Sequence, residues 1–176
     1  IFEDPEDNES LHRWNWLLHL SSEESCKPAK IKWMLVMQEN WIKYFQQEIQ
    51  LSPKKLDYLL RWESYTVGER IANSILLYTS KDVIPSQRVQ KAIIEQVELL
   101  TTRLEYFGAS TGNHIINNAR AIYLAGVYFQ CEPWKNFAEI IFRKELPHLV
   151  NSDGFLREGS SHYQFLFTRW VLEILF

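Results

Sequence analysis

Apolar residues recur at helical spacing along most of this chain, and this pattern limits its fold more than any other feature. Val89, Ile93, Val97 and Leu100 form the clearest stripe, which follows Pro85. No segment alternates apolar and polar residues between two turn signals, as a half-buried strand would. The pattern therefore predicts an all-α chain built of helical hairpins, with no substantial sheet.

Proline and small polar residues indicate where these helices begin and end. Ser10 is a suitable N-cap for a short helix over residues 11–20, and a turn is predicted at Asn151–Gly154 before a last helix from about Ser161. Three helices are predicted to begin at prolines: Pro28, Pro53 (to about Trp62) and Pro133. Periodicity alone does not choose among a bundle, a solenoid and a curved toroid.

The composition is compatible with one domain, and it excludes some classes of ligand. A chain of 176 residues can bury its own core, and its seven tryptophans indicate a thick core first and a sugar-stacking surface second. The net charge of −3 provides no general attraction for nucleic acid or an anionic membrane, so neither is an expected partner. No apolar run reaches the length of a membrane span. Cys26 and Cys131 match no metal or redox motif, and we expect no metal and no cofactor.

Amides and an imidazole cluster at one predicted helix start, Gly112-Asn113-His114-Ile115-Ile116-Asn117-Asn118. The helix is predicted to run from about His114 to about Phe129. Such side chains are unfavourable when buried without partners, so they either cap the helix and lie on the surface or line a cavity. From spacing alone, capping and surface exposure is the simpler interpretation.

Several segments of the chain, in order, match the pattern of one enzyme family. They are the aromatic segment Leu11–Leu18, Trp62-Glu63-Ser64-Tyr65 followed by Gly68–Asn73, Gly112-Asn113-His114 with Asn118, and Asp153–Tyr163. Together they resemble the N-terminal α-helical domain of the heparinase II/III-like polysaccharide lyases, which include heparin, heparan and alginate lyases. One position departs from the pattern, because Gln164 stands where many relatives carry a histidine.

This resemblance implies an incomplete α/α toroid of antiparallel helical hairpins over residues 1–176, with the family's C-terminal β-sandwich domain outside this chain. It implies a lyase that cleaves uronic-acid-containing polysaccharide by β-elimination, with an acidic polysaccharide as substrate and a bacterial periplasmic or secreted location. The apolar run at Val171–Phe176 also leads us to expect further covering helices. The alternative is a non-catalytic helical-hairpin domain that binds glycan or protein.

Three residues take catalytic roles by this resemblance: Asn113, His114 and Tyr163. In β-elimination the C5 proton leaves, charge develops on the carboxylate, and the 4-oxygen is expelled. Asn113 would stabilise the carboxylate, while His114 and Tyr163 would handle the two protons, in an order that depends on the stereochemistry of the uronate. The structural alternatives are a helix cap for Asn113, a satisfied histidine at a helix start for His114 and a core tyrosine for Tyr163.

Five further residues are candidates for substrate binding, although we expect most of them to be structural. Sugars stack on aromatic faces, and acidic groups accept paired hydrogen bonds from arginine. The candidates are Arg13, Trp62, Tyr65, Arg70 and Arg157.

Overall fold

The protein is all-α, as predicted. The computed structural model describes residues 5–23, 26–108, 111–157 and 159–175. Within these ranges it contains nine α-helices: α1 (Pro5–Arg13), α2 (Asn15–Ser22), α3 (Pro28–Phe45), α4 (Pro53–Leu56), α5 (Ser64–Ser80), α6 (Gln87–Thr102), α7 (His114–Tyr128), α8 (Glu132–Leu149) and α9 (Ser161–Leu175). Two 3-10 segments lie at Gln46–Gln50 and Leu60–Trp62.

Most helix boundaries follow the predicted signals. Helices α3 and α4 begin at Pro28 and Pro53, and Pro133 lies in the first turn of α8. The turn at Asn151–Gly154 is also present, with Gly154 N–H donating to Asn151 O at 2.9 Å. Gly154 has a φ of 85°, which favours glycine at this position. Within the described residues, β-type pairing is limited to one isolated antiparallel bridge, between Val150 and Leu156.

Two predicted helices are interrupted. The N-cap predicted at Ser10 is wrong, because Ser10 lies inside α1, which begins at Pro5. The helix predicted over residues 11–20 also breaks at Trp14, whose φ of 59° separates α1 from α2. The buried Trp14 ring contacts the Trp41 ring at 5.5 Å, so packing of the indole takes precedence over local helix propensity. The helix predicted from Pro53 to about Trp62 ends at Leu56, and the chain then enters the 3-10 segment that buries Trp62.

Helices α5 and α7 lie at the centre of the fold. Helix α7 packs against α5, α6, α8 and α9, and α5 also contacts α1 and α2. Within the described residues, helices that follow one another in the chain thus pack around a shared core. Helices α5 and α7 begin side by side in this core. The toroid itself stays a prediction. None of the helices within the described ranges is long and apolar enough to cross a membrane.

A buried arginine organises the tryptophan-rich part of the core. The Arg70 guanidinium lies 4.3 Å from the Trp41 ring, 5.3 Å from the Trp62 ring and 5.9 Å from the Trp14 ring. It donates to Gln96 Oε1 at 2.9 Å and to the carbonyl oxygen of His12 at 3.0 Å. Burial lowers the pKa of Arg70 to about 9, so its side chain remains charged at neutral pH. These three tryptophans are therefore core residues, as first expected.

Candidate active site

Buried amides join the starts of α5 and α7. Asn117 Nδ2 donates to the carbonyl oxygen of Tyr65 at 3.2 Å, and Asn118 Nδ2 donates to that of Ser64 at 3.1 Å. Gly68 permits this approach, because a Cβ at that position would lie 3.1 Å from Asn117 Nδ2. The interpretation of these amides as surface residues is therefore wrong for Asn117 and Asn118, which are buried and join two helices.

Asn118 and two hydroxyl groups hold the segment that precedes α7. Asn118 Oδ1 accepts from the backbone N–H of Glu105 at 3.2 Å. Ser64 Oγ donates to the carbonyl oxygen of Arg103, and Thr111 Oγ1 accepts from the backbone N–H of Phe107 at 2.9 Å. These bonds fix the backbone at residues 103, 105 and 107, and Glu105 is positioned beside the first residue of α7.

His114 is oriented by a carboxylate and by an aromatic ring. Its Nδ1 lies 2.5 Å from Glu105 Oε2, and its ring centroid lies 4.6 Å from that of Tyr65. The Arg13 guanidinium lies 4.7 Å from the centre of the Tyr65 ring. Arg13, Tyr65 and His114 therefore form one cluster, although they come from three separate segments of the sequence. Burial, followed by the charge of Glu69, raises the pKa of Tyr65 far above its ordinary value.

The contact with Glu105 determines which nitrogen of His114 can act on a ligand. An ionised carboxylate only accepts hydrogen bonds, so Nδ1 of His114 carries the proton that is shared with Glu105. Nε2 is then the nitrogen that can accept a proton from a ligand. Forty-five per cent of the His114 side-chain surface is exposed, so a ligand can reach the ring. This arrangement suits a general base whose protonated form is stabilised by a carboxylate.

Asn113 lies next to His114 at the start of α7. Its carbonyl oxygen accepts from the backbone N–H groups of Ile116 at 3.0 Å and Asn117 at 3.4 Å. Its side chain is buried but does not cap the helix. The structural alternative of a side-chain cap is therefore not supported for Asn113.

Tyr163 lies in the first turn of α9 and is 43% exposed. It is four residues before Phe167 and seven before Trp170, so the three side chains share one face of the helix. Trp170 is buried and its ring centroid lies 6.1 Å from that of Tyr65, the ring that contacts His114. The exposure of Tyr163 argues against the alternative of a core tyrosine.

Charged pairs hold α9 in this position. Glu173 Oε2 accepts from Arg120 Nε at 2.5 Å, and Glu173 Oε1 accepts from Arg169 Nε at 2.6 Å. Arg120 also donates to Glu69 at 2.8 Å and is fully buried, so the pairing joins α9 to both α7 and α5. The face that carries Tyr163 is thereby fixed relative to the helix that begins at His114.

Gln164, the residue that departs from the family pattern, has a structural contact. Its Oε1 accepts from the backbone N–H of Leu156 at 2.7 Å, and its Nε2 lies 3.4 Å from the carbonyl oxygen of Gly154. The side chain therefore fastens the 151–156 turn to α9, one residue after Tyr163.

The predicted substrate-binding residues separate into three groups. Arg13 and Tyr65 lie in the His114 cluster, as described. Trp62 and Arg70 are fully buried against each other and present no face to a sugar, so we do not retain them as ligand contacts. Sequence spacing does not distinguish a core tryptophan from a stacking one. Arg157 is exposed and lines a separate cavity of about 350 Å³.

Glu105 is the residue that sequence reasoning missed. It precedes His114 by nine residues across an irregular loop, and neither helical spacing nor a motif connects them. Only the fold brings its carboxylate to the imidazole, because Asn118 fixes the backbone at Glu105.

Comparison with known proteins agrees with the family resemblance found in the sequence. The family described as Heparinase II/III N-terminus matches residues 2–175. A heparin-sulfate lyase of Bacteroides thetaiotaomicron is 25% identical over 167 residues, which is 90% of this chain and 23% of that protein. The chain thus spans about a quarter of the length of this curated relative. No solved structure matches the chain significantly.

Proposed function

Because the chain belongs to the heparinase II/III N-terminus family, we propose that it is the helical domain of a lyase that cleaves uronic-acid-containing polysaccharide by β-elimination. The observation that carries this proposal is the arrangement of His114, an accessible imidazole with Nδ1 on a carboxylate and with Asn113 beside it. We assign the activity to the whole protein, because this chain corresponds to 23% of the heparin-sulfate lyase that it resembles. The C-terminal β-sandwich domain that the family resemblance implies is part of this proposal.

In the proposed reaction, His114 Nε2 takes the proton from C5 of the uronate. The electron pair of the broken C5–H bond forms the C4–C5 double bond, and the bond between C4 and the glycosidic oxygen breaks. The Tyr163 hydroxyl donates its proton to that leaving oxygen, and solvent restores both side chains. Asn113 donates to the substrate carboxylate, where negative charge develops. One such preorganised donor contributes roughly 3 kcal/mol to stabilising a transition state.

Glu105 is the positioning residue in this proposal. Its carboxylate holds the proton on Nδ1 of His114, and it favours the imidazolium that forms when Nε2 accepts the C5 proton. The contact supports His114 as the base and Tyr163 as the acid, which resemblance alone leaves open. Glu105 acts through His114 and does not touch the substrate in the proposed reaction.

The non-catalytic alternative is less well supported. A domain that retained His114 and Tyr163 only as packing would bury them, whereas these two residues are about half exposed. A carboxylate held against an accessible imidazole is also a common arrangement in proton-transfer sites.

The experiment uses the full-length protein and a panel of polysaccharides. Uronic-acid polymers with and without sulfate are the test substrates, and a neutral polysaccharide is the control. We expect ultraviolet absorbance of the unsaturated product to appear with at least one acidic polymer and not with the neutral one. Absence of that absorbance with every acidic polymer, despite measurable binding, would favour the non-catalytic alternative.

A further inference from the structure

A cavity of about 350 Å³ opens between the two segments that lead into α7 and α9. One wall comes from Tyr106 and Thr111, on the loop that ends at His114. The other comes from Arg157, on the turn that leads to Tyr163, and the end of α8 lies between the two walls. The cavity is thus adjacent in the chain to both proposed catalytic segments, but it contains neither of their side chains.

Basic side chains concentrate around this cavity, although the chain as a whole is acidic. Lys144, His148 and Arg157 all line it and are all exposed. Glu145 is the acidic residue among its lining side chains, and that carboxylate is buried and lies 3.5 Å from Lys144 Nζ. Since the net charge of the chain is −3, this local excess of positive charge is not a property of the general surface.

Lys144 is held in place over the cavity by Tyr106. Its Nζ donates to the Tyr106 hydroxyl at 2.6 Å and lies 4.3 Å from the centre of the Tyr106 ring. The ammonium group has three donors, so its contacts to the Tyr106 hydroxyl and to Glu145 Oε1 leave one donor for a ligand. A lysine that is ordered before binding loses less conformational entropy when an anion binds.

We propose that this cavity is a subsite for an acidic group, a sulfate or a carboxylate, on a saccharide unit next to the one that is cleaved. Lys144 provides charge from the end of α8 and Arg157 provides it from the turn that leads to Tyr163. Arg157 can donate two parallel hydrogen bonds, and Thr111 and His148 add polar contacts. The inference rests on the proposed function for the identity of the ligand, and it adds the site that recognises the neighbouring unit.

Binding to the full-length protein tests this inference. The protein carries Tyr163→Phe so that it does not degrade the probes, which are a heparan sulfate oligosaccharide and its desulfated counterpart. We expect Arg157→Gln and Lys144→Gln each to weaken binding about tenfold, because each removes a charge-assisted hydrogen bond. A loss restricted to the sulfated probe identifies sulfate as the ligand, and an equal loss with both probes identifies the carboxylate.

Two further variants control for charge and for folding. Arg143→Gln makes the same change of charge on the adjacent residue of α8, where the side chain is 82% exposed and outside the cavity, and we expect its affinity to equal that of the parent protein. Lys144→Arg keeps the charge beside the buried Glu145, and it should restore most of the affinity lost in Lys144→Gln.

The subsite is contradicted if Arg157→Gln and Lys144→Gln bind both probes as tightly as the parent, or if Arg143→Gln loses as much affinity as they do. The result is separable from the lyase proposal. A full-length protein that cleaves nothing but needs Lys144 and Arg157 for binding has the subsite without the activity. If Arg157→Gln and Lys144→Gln, made in the protein that keeps Tyr163, cleave acidic polymers with unchanged KM, the protein has the activity without the subsite.

Discussion

His114 is held by two contacts that have different physical consequences. The Tyr65 ring restricts the orientation of the imidazole, and the Glu105 carboxylate fixes which nitrogen carries a proton. The sequence identifies His114 as a candidate because it follows Gly112 and Asn113 in the family's motif. Glu105 has no comparable signal, because its role depends on a loop conformation that Asn118 sets from within α7.

At this scale we predict that Glu105→Gln lowers kcat of the full-length protein by about 10- to 100-fold, with KM nearly unchanged. The amide keeps the size of the side chain but cannot stabilise an imidazolium by charge. For the same reason, the acid side of the pH profile of kcat should move to lower pH, a change that loss of packing alone does not produce. Glu105→Asp should recover part of the rate. An unchanged kcat and pH profile would remove Glu105 from the proposal.

The buried His12 gives a prediction about stability. Burial, with smaller contributions from Arg70 and Arg61, lowers the pKa of His12 to about 4, and its Nδ1 accepts from Trp41 Nε1 at 2.9 Å. The unfolded chain binds this proton at about pH 6.5. The free energy of unfolding should therefore be highest above pH 6.5 and should fall by roughly 3 kcal/mol between pH 6.5 and pH 4 through this group.

Urea unfolding at pH 7, 5.5 and 4 measures this dependence. His12→Gln keeps a hydrogen-bond acceptor for Trp41 but has no proton to bind, so its stability should change much less over the same interval. Glu48 changes the stability at lower pH than His12 does, because its hydrogen bonds with Arg61 hold the pKa of Glu48 below its ordinary value. Parallel curves for the two proteins would show that His12 does not carry the effect.

At the scale of the helices, the periodic apolar pattern predicted the main elements and their approximate boundaries. It failed where tertiary packing determines the backbone. Trp14 takes a left-handed conformation as its indole packs against Trp41, and the helix from Pro53 stops where Leu56 is buried. The paired amides of α7 were also misjudged, because spacing does not reveal that α5 presents carbonyl oxygens to them.

The contact between α7 and α8 depends on one glycine. A Cβ at Gly126 would lie 2.8 Å from Lys135 Cγ, 2.9 Å from the backbone nitrogen of Lys135 and 3.2 Å from the carbonyl oxygen of Cys131. Gly126→Ala should therefore destabilise the protein by about 1–3 kcal/mol, even though alanine alone favours a helix by about 1 kcal/mol. Thermal unfolding measures the loss, and Val127→Ala on the exposed side of α7 serves as the control. A variant as stable as the parent would show that α7 and α8 can shift enough to accept a methyl group at no net loss of stability.

On the scale of the whole molecule, the central claim is that helices α5, α7 and α9 present one catalytic surface. Glu173 links α9 to Arg120 of α7, and Arg120 in turn pairs with Glu69 of α5. Tyr163 lies on the α9 face that also carries Trp170, at about 10 Å along the helix from it. The chemistry requires the acid and the base to reach one monosaccharide, so the arrangement of the three helices decides whether the protein can act as a lyase.

The most direct test is the turnover of Tyr163→Phe in the full-length protein, followed by the ultraviolet absorbance of the unsaturated product. The substitution keeps the ring on α9 and removes only the hydroxyl. We predict that turnover is lost while the affinity for the acidic polysaccharide and the melting temperature stay within error of the parent values. Full activity in the variant would contradict the role of Tyr163, and a joint loss of stability and binding would show that the hydroxyl is a structural partner.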